Sequence, residues 1–111
     1  MVGCGKMTSG ITVSAMKMEI RSISAGLHDV RNVFGFGSFF RGERTFSDID
    51  LAAVIRDQSN DGLAIYYLMM DHLSALTEQY GVEFDLLVFT DKEFAFGPLR
   101  DVSFVPIYCA K

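Results

Sequence analysis

The sequence has few cysteines, few basic residues and no long apolar run, and each shortage argues against a class of protein. Only two cysteines occur among 111 residues, near the two ends and outside any metal-ligand spacing: Cys4 and Cys109. They indicate free thiols and a cytoplasmic protein. The net charge is -4 without a dense run of Lys and Arg. This disfavours nucleic acid as a ligand, because proteins bind nucleic acid largely by neutralising its phosphates.

No stretch approaches the roughly 20 apolar residues of a membrane span, so we expect no contact with a membrane. Half of the residues are nonetheless hydrophobic, which is enough to form a folded core.

Residues 1–15 are rich in Gly, Ser and Thr, lack the apolar core of a signal peptide, and are predicted to form a flexible leader. The true start of translation is left open between Met1, Met16 and Met18. Residues 16–111 are predicted to form a single domain.

Hydrophobic periodicity predicts two long helices. The first begins at about Met16, where apolar residues recur at steps of four and three: Met16, Ile20, Ile23, Leu27 and Val30. The second is predicted over residues 61–80. Its apolar surface is broader than packing on one sheet requires, so this helix either is buried between the sheet and the first helix or contacts a partner.

Three strands are predicted, over residues 33–36, 48–55 and 82–89. The middle one continues as an apolar run from Leu51 to Ile55, as expected of an interior strand. The tail, residues 91–111, is interrupted by two prolines and ends in either an edge strand or a short helix over residues 102–109. No function is assigned to the tail.

A glycine-serine turn precedes two carboxylates that are one residue apart. Gly37 permits a tight turn or a close backbone approach to a ligand. Ser38 is either a phosphate contact at the start of a helical turn or an ordinary N-cap. After nine further residues the chain returns as the strand that begins with Asp48 and Asp50. Side chains alternate along a strand, so these carboxylates are expected on one face with Cα atoms about 7 Å apart.

Two acids at the start of a buried strand need a partner, because a buried carboxylate without one is costly. A magnesium ion is one candidate, since it takes carboxylate oxygens together with substrate phosphates. The other is Arg41 or Arg44 folding back as a salt-bridge partner. The third predicted strand carries Asp85, the natural third carboxylate. Glu83 shares its face, so periodicity does not exclude Glu83 from that role.

Taken together, these residues resemble the polymerase beta-like nucleotidyltransferase superfamily, especially its minimal nucleotidyltransferase (MNT) family. The family pattern is a hydrophobic residue, Gly-Ser, a spacer often holding Arg and Gly, and then Ser-Asp-x-Asp-hydrophobic. The matching residues are Phe36, Gly37, Ser38, Arg41, Gly42, Ser47, Asp48, Asp50 and Leu51. The resemblance extends from Met16 to about Phe89. It departs from the pattern at Phe39 and Phe40, where small or basic residues are usual.

The resemblance implies an α/β (α+β) nucleotidyltransferase fold, a mixed sheet with helices packed on it. Parallel neighbours are expected where a helix connects two strands, as between Ile55 and Val82. It also implies that Asp48, Asp50 and Asp85 are catalytic and hold two Mg²⁺ ions, with Asp85 orienting or deprotonating the attacking hydroxyl. The residues that it implies for nucleotide binding are Gly37, Ser38, Arg41, Arg44 and Ser47.

The implied reaction is Mg²⁺-dependent transfer of a nucleoside monophosphate, with ATP as the expected donor of AMP. The chain has no room for a second domain that holds an acceptor, so the favoured acceptor is a partner protein. In the MNT family that partner is a helical HEPN protein, and the pair forms a toxin-antitoxin system. The alternative is a non-catalytic nucleotide-binding or antitoxin module that acts by binding a helical partner. Assembly of the chain with copies of itself is compatible with both.

Overall fold

A computed structural model describes residues 11–56, 62–97 and 102–110, and the first ten residues of the predicted leader lie outside these ranges. The described elements, in chain order, are α1 (Val13–Ala25), β1 (Val30–Phe36), α2 (Gly37–Phe40), β2 (Ile49–Ile55), α3 (Gly62–Tyr80), β3 (Phe84–Thr90), α4 (Asp91–Ala95) and β4 (Val105–Cys109). None of these helices is long and apolar enough to cross a membrane.

The four described strands form one mixed sheet in the order β3-β2-β1-β4. β1 runs antiparallel to β2 and to β4, whereas β2 and β3 are parallel. The predicted fold class is confirmed, and so is the predicted parallel pair, because α3 connects β2 to β3. The apolar run of β2, from Leu51 to Ile55, is buried throughout, as its interior position requires.

The main core lies between one face of the sheet and the helices α1 and α3. Val33 of β1 and Leu51 of β2 pack there with Met16 of α1 and Leu73 of α3, and all four side chains are fully buried. Burying an apolar side chain of this size contributes about 1.5–3 kcal/mol relative to leaving it exposed. This core fixes the positions of the strands that carry the predicted site.

Both ends of α1 differ from the prediction. Thr12 caps the helix, its side chain accepting a hydrogen bond from the N–H of Ala15 at 3.0 Å, so α1 begins at Val13 instead of about Met16. At the other end the periodicity is wrong, because Val30 is the first residue of β1 and not a helical residue. A buried valine three positions after another apolar residue is compatible with a helix and also with the start of a strand.

Aromatic rings cover the opposite face of the sheet. Phe94 of α4 stacks on Phe34 of β1 with ring centroids 5.2 Å apart. The ring of Phe94 also lies 5.4 Å from that of Phe104 and 5.9 Å from that of Phe89. These rings shield Ala52 and its neighbours on the second face of β2, which explains why that strand is buried on both sides.

The tail contains an unpredicted helix, α4. α4 follows β3 directly and begins with a capping box, in which the Thr90 side chain accepts from the N–H of Glu93 and the Glu93 side chain accepts from the N–H of Thr90. Such reciprocal bonds satisfy two free donors and define a helix start. The last element, β4, is an edge strand, which was one of the two predicted alternatives.

Gly35 is a position where added volume should destabilise the fold. A Cβ atom there would lie 2.6 Å from two atoms of the Phe40 ring, which is 8% exposed and therefore not free to move. We expect Gly35→Ala to lower the free energy of unfolding by about 1–3 kcal/mol, the usual cost of overpacking.

Urea unfolding would measure this effect, with Gly26→Ala as the matched control. A Cβ at Gly26 would meet only the carbonyl oxygen of Ile23, at an ordinary contact distance of 3.6 Å. Equal stability of the two variants would contradict the packing of Phe40 on Gly35.

Candidate active site

The turn at Gly37 and the carboxylate of Asp50 lie against each other. Phe36, the last residue of β1, pairs with Asp50 of β2, and Gly37 then begins α2 with a φ of 83°. A Cβ atom at Gly37 would collide with Oδ2 of Asp50 and would lie 3.2 Å from its Cγ. Glycine is required on both counts, because it adopts this left-handed conformation at low cost and because the carboxylate occupies the space of a side chain.

Asp85 stands beside Asp50 on the neighbouring strand. The two residues are register partners in the parallel pair of β2 and β3, so their side chains point to the same face of the sheet. Glu83 lies before β3, and its carbonyl accepts a hydrogen bond from the N–H of Ile49 at 2.8 Å. The structure therefore places Asp85, and not Glu83, in the position beside Asp50.

The surroundings of Asp50 disfavour its charged form. Desolvation by burial is the largest cause that raises the pKa of Asp50, followed by repulsion from Asp85 and then from Asp48. The charge of Arg41 acts in the opposite direction and lowers it. The charges of Asp85, Asp48 and Arg41 therefore all act on Asp50. Asp50 lies opposite Phe36, the last residue of β1.

The remaining motif residues have more open positions. Ser47 and Asp48 are exposed in the loop before β2, so the expected strand alternation applies to Asp50 but not to Asp48, which lies outside the strand. Ser38 is half-buried in α2, and its carbonyl accepts from the N–H of Glu43 at 3.1 Å. The predicted roles of these side chains in metal and nucleotide binding stay predictions.

The two arginines of the motif lie in different surroundings. Arg41 forms an ion pair with Glu43 at 2.9 Å, and it borders a cavity that also contains Gly37. Arg44 instead lines a separate cavity next to Thr12, at the start of α1. Neither arginine forms an ion pair with an aspartate of the site within the described ranges, so the salt-bridge alternative is not what the structure shows.

Phe39 and Phe40, which depart from the family pattern, face away from the turn. Their side chains are only 3% and 8% exposed and meet edge to face with centroids 5.1 Å apart. Phe39 also contacts the ring of Phe46 at 4.8 Å. The rings belong to the core cluster and leave the surface of the turn open.

The acidic residues suit a hard divalent cation. No group of three or more His, Cys, Asp or Glu side chains in the described parts of the chain is already arranged to hold a metal ion. The donor chemistry nevertheless fits, because Asp48 and Asp85 add negative charge at Asp50 and Mg²⁺ binds carboxylate oxygens. A cation there would offset the repulsion that raises the pKa of Asp50.

Two residues of the tail also border the site. A cavity of about 340 Å³ is lined by Phe36, Gly37, Arg41, Val102 and Ser103. No function was predicted for the tail, because no spacing signal links residues so far apart along the chain. Only the antiparallel pairing of β4 with β1 brings the start of the last strand next to the turn.

A glycine turn packed against one carboxylate, with a second carboxylate beside it on the neighbouring strand, is suited to an enzyme that transfers phosphate-containing groups with the help of a divalent cation. The chain matches the nucleotidyltransferase domain family over residues 17–106. It therefore belongs to that family and is a nucleotidyltransferase, and the family predicted from the sequence is confirmed. Enzymes of this family act on nucleoside triphosphates with a divalent metal.

A solved structure supports the fold. It is that of a Sulfolobus solfataricus protein designated a candidate nucleotidyltransferase, and its TM-score against this chain is 0.54 at 17% sequence identity. The alignment covers 80% of this chain and 74% of the other. The comparison with curated proteins gave no match.

Proposed function

We propose that this chain transfers AMP from ATP to a hydroxyl group of a helical HEPN-type partner protein, in a Mg²⁺-dependent reaction, as the antitoxin of a toxin-antitoxin pair. The observation that carries the proposal is the position of Asp50, which lies between the glycine of the turn and the carboxylate of Asp85. This arrangement puts the glycine of the turn, which borders a cavity, next to acids that can hold a cation and accept a proton.

In this mechanism Asp48, Asp50 and Asp85 would hold the metal, and the chemistry that a bound Mg²⁺ would supply there is neutralisation of the negative charge of the transferring phosphate group. Asp85 orients the acceptor hydroxyl and takes its proton. The hydroxyl oxygen forms a bond to the α-phosphorus of ATP, the bond from that phosphorus to the bridging oxygen breaks, and pyrophosphate leaves. The backbone at Gly37 and Ser38 and the guanidinium of Arg41 position the departing phosphates.

Two features of the surface support a protein acceptor. Asp85 lies on β3, an outer strand of the described sheet, where a large acceptor can approach it from the side. α3 also exposes Leu63, Tyr67 and Leu68, with 62% of Leu63 and 64% of Tyr67 accessible. Exposed apolar side chains concentrated on one helix are typical of a protein contact. This exposure supports the proposal that α3 contacts a partner.

The test is transfer of radiolabel from α-labelled ATP to the partner. The full chain is incubated with Mg²⁺ and the product of an adjacent HEPN-type gene, and label on the partner is measured over time. We expect the double variant Asp48→Ala with Asp50→Ala to reduce the rate by about 10³-fold or more, since metal stabilisation of the transferring group is worth several kcal/mol.

The matched control is Asp29→Ala with Asp91→Ala, which removes two acids at the opposite end of the sheet from Asp50 and away from α3, and which should leave the rate unchanged. Absence of label transfer by the wild-type chain, or equal transfer by the site variant, would contradict the proposal. Tight binding of the partner without ATP binding would instead support the non-catalytic module.

A further inference from the structure

We propose that the hydroxyl of Ser103, together with Arg41, binds the terminal phosphate of the nucleoside triphosphate and thereby makes the site prefer triphosphates to monophosphates. This inference rests on the proposed function, because it concerns the same nucleotide site. It adds a residue outside the family motif, from the tail of the chain.

Ser103 lies beside the glycine turn of the site. Ser103 lines the same 340 Å³ cavity as Gly37 and Arg41, and its side chain has no hydrogen-bond partner among the residues that the structure describes. An exposed hydroxyl is a good donor to a phosphate oxygen, and a guanidinium on the same cavity adds the charge that such an oxygen attracts. A cavity of this size also lies at the lower end of the range for small-ligand sites, about 300–1,000 Å³.

The order of the strands sets which phosphate reaches Ser103. Asp50 lies on β2 and Ser103 lies two residues before β4, and these two strands are on opposite sides of β1. Neighbouring strands are about 4.8 Å apart, so the two backbones are separated by roughly 10 Å across the sheet. A phosphate held at the carboxylates is thus too far away to touch Ser103. The end of a triphosphate chain that extends from the carboxylates past Gly37 can reach it.

The ion pair of Arg41 does not prevent this role. Arg41 and Glu43 are 2.9 Å apart, and their side chains are 63% and 50% exposed. Pairs in such positions contribute little, because water screens both charges and two long side chains lose freedom. A phosphate can therefore compete with Glu43 for the guanidinium at small cost.

Calorimetric titration of the full chain with ATP and with AMP, each with Mg²⁺, tests the inference. We expect Ser103→Ala to weaken ATP binding by about tenfold, as for loss of a hydrogen bond to a charged group, and to leave AMP binding unchanged. Ser103→Thr, which keeps the hydroxyl, should retain the affinity for ATP. Ser22→Ala, at an exposed position of α1, is the matched control and should change neither affinity.

The two nucleotides separate a contact from a structural effect. Equal weakening of ATP and AMP binding in Ser103→Ala would overturn the inference, because a distorted site would affect both ligands. Unchanged ATP binding in that variant would also overturn it while leaving the proposed function intact. If the wild-type chain bound no ATP, the proposed function itself would fail, and this inference with it.

Discussion

Asp50→Asn is expected to abolish nucleotidyl transfer and, in the absence of metal, to make the folded chain more stable. Transfer should fall by about 10³-fold or more, since an amide is a poor substitute for a carboxylate that holds a divalent cation. Stability should rise because burial and the charges of Asp85 and Asp48 disfavour the ionised form of Asp50. The amide has the same shape without that charge.

The pH dependence follows from the direction of the shift. Because the pKa of Asp50 is raised in the folded state, the folded chain binds this proton more tightly than the unfolded chain. The contribution of Asp50 to stability therefore falls as pH rises from its ordinary pKa through the raised value. The advantage of Asp50→Asn should be full above the raised pKa and should vanish in acid, below the ordinary pKa of an aspartate.

Thermal unfolding in EDTA at several pH values would measure this effect. Glu78→Gln, at an exposed position of α3, removes the same charge away from the site and is the control. Addition of Mg²⁺ should raise the melting temperature of the wild-type chain more than that of Asp50→Asn, because a ligand stabilises the form that binds it. A variant less stable than the wild type at neutral pH would refute this account of Asp50.

Gly37→Ala is expected to damage both the fold and the activity. Its φ of 83° is costly for any residue with a Cβ, about 1–2 kcal/mol. The added methyl group would also displace the carboxylate of Asp50. Transfer should therefore fall far more than the loss of stability alone would explain, which would be measured by comparing the initial rate with the free energy of unfolding.

Gly81→Ala separates these two causes. Gly81 has a similar φ of 71°, but a Cβ there would have no atom within 4 Å. We expect this variant to lose stability without losing activity. Combining Gly37→Ala with Asp50→Ala should restore part of the stability, because the collision is removed, while transfer stays absent. Strictly additive effects of the two substitutions would argue against direct contact between these residues.

The fold class is predictable from the sequence, and the acidic residues stand out in it, because both depend on local pattern. β2 is uniformly apolar after Asp50, and an acid in the equally apolar β3 draws attention to Asp85. The choice between Asp85 and Glu83 depends on the register of two parallel strands. That register is fixed by packing across the sheet and not by alternation within one strand, so periodicity cannot decide it.

Other parts of the site depend on contacts between distant segments. Ser103 reaches the turn only through the pairing of β4 with β1, and nothing near it in sequence indicates a ligand. The separation of Arg41 from Arg44 likewise follows from the path of the loop after α2, although the two residues are close in sequence. The start of α1 was predictable in principle, since Thr12 is a favourable cap.

The two buried phenylalanines of α2 have a consequence for how fast the enzyme can take up its nucleotide. A helix of four residues is too short to persist by itself, and Phe39 and Phe40 attach it to the core. The turn that begins this helix is thereby ordered before any ligand arrives. Binding then does not need to supply the conformational entropy of ordering a loop, and association should be limited by diffusion and charge and not by loop closure.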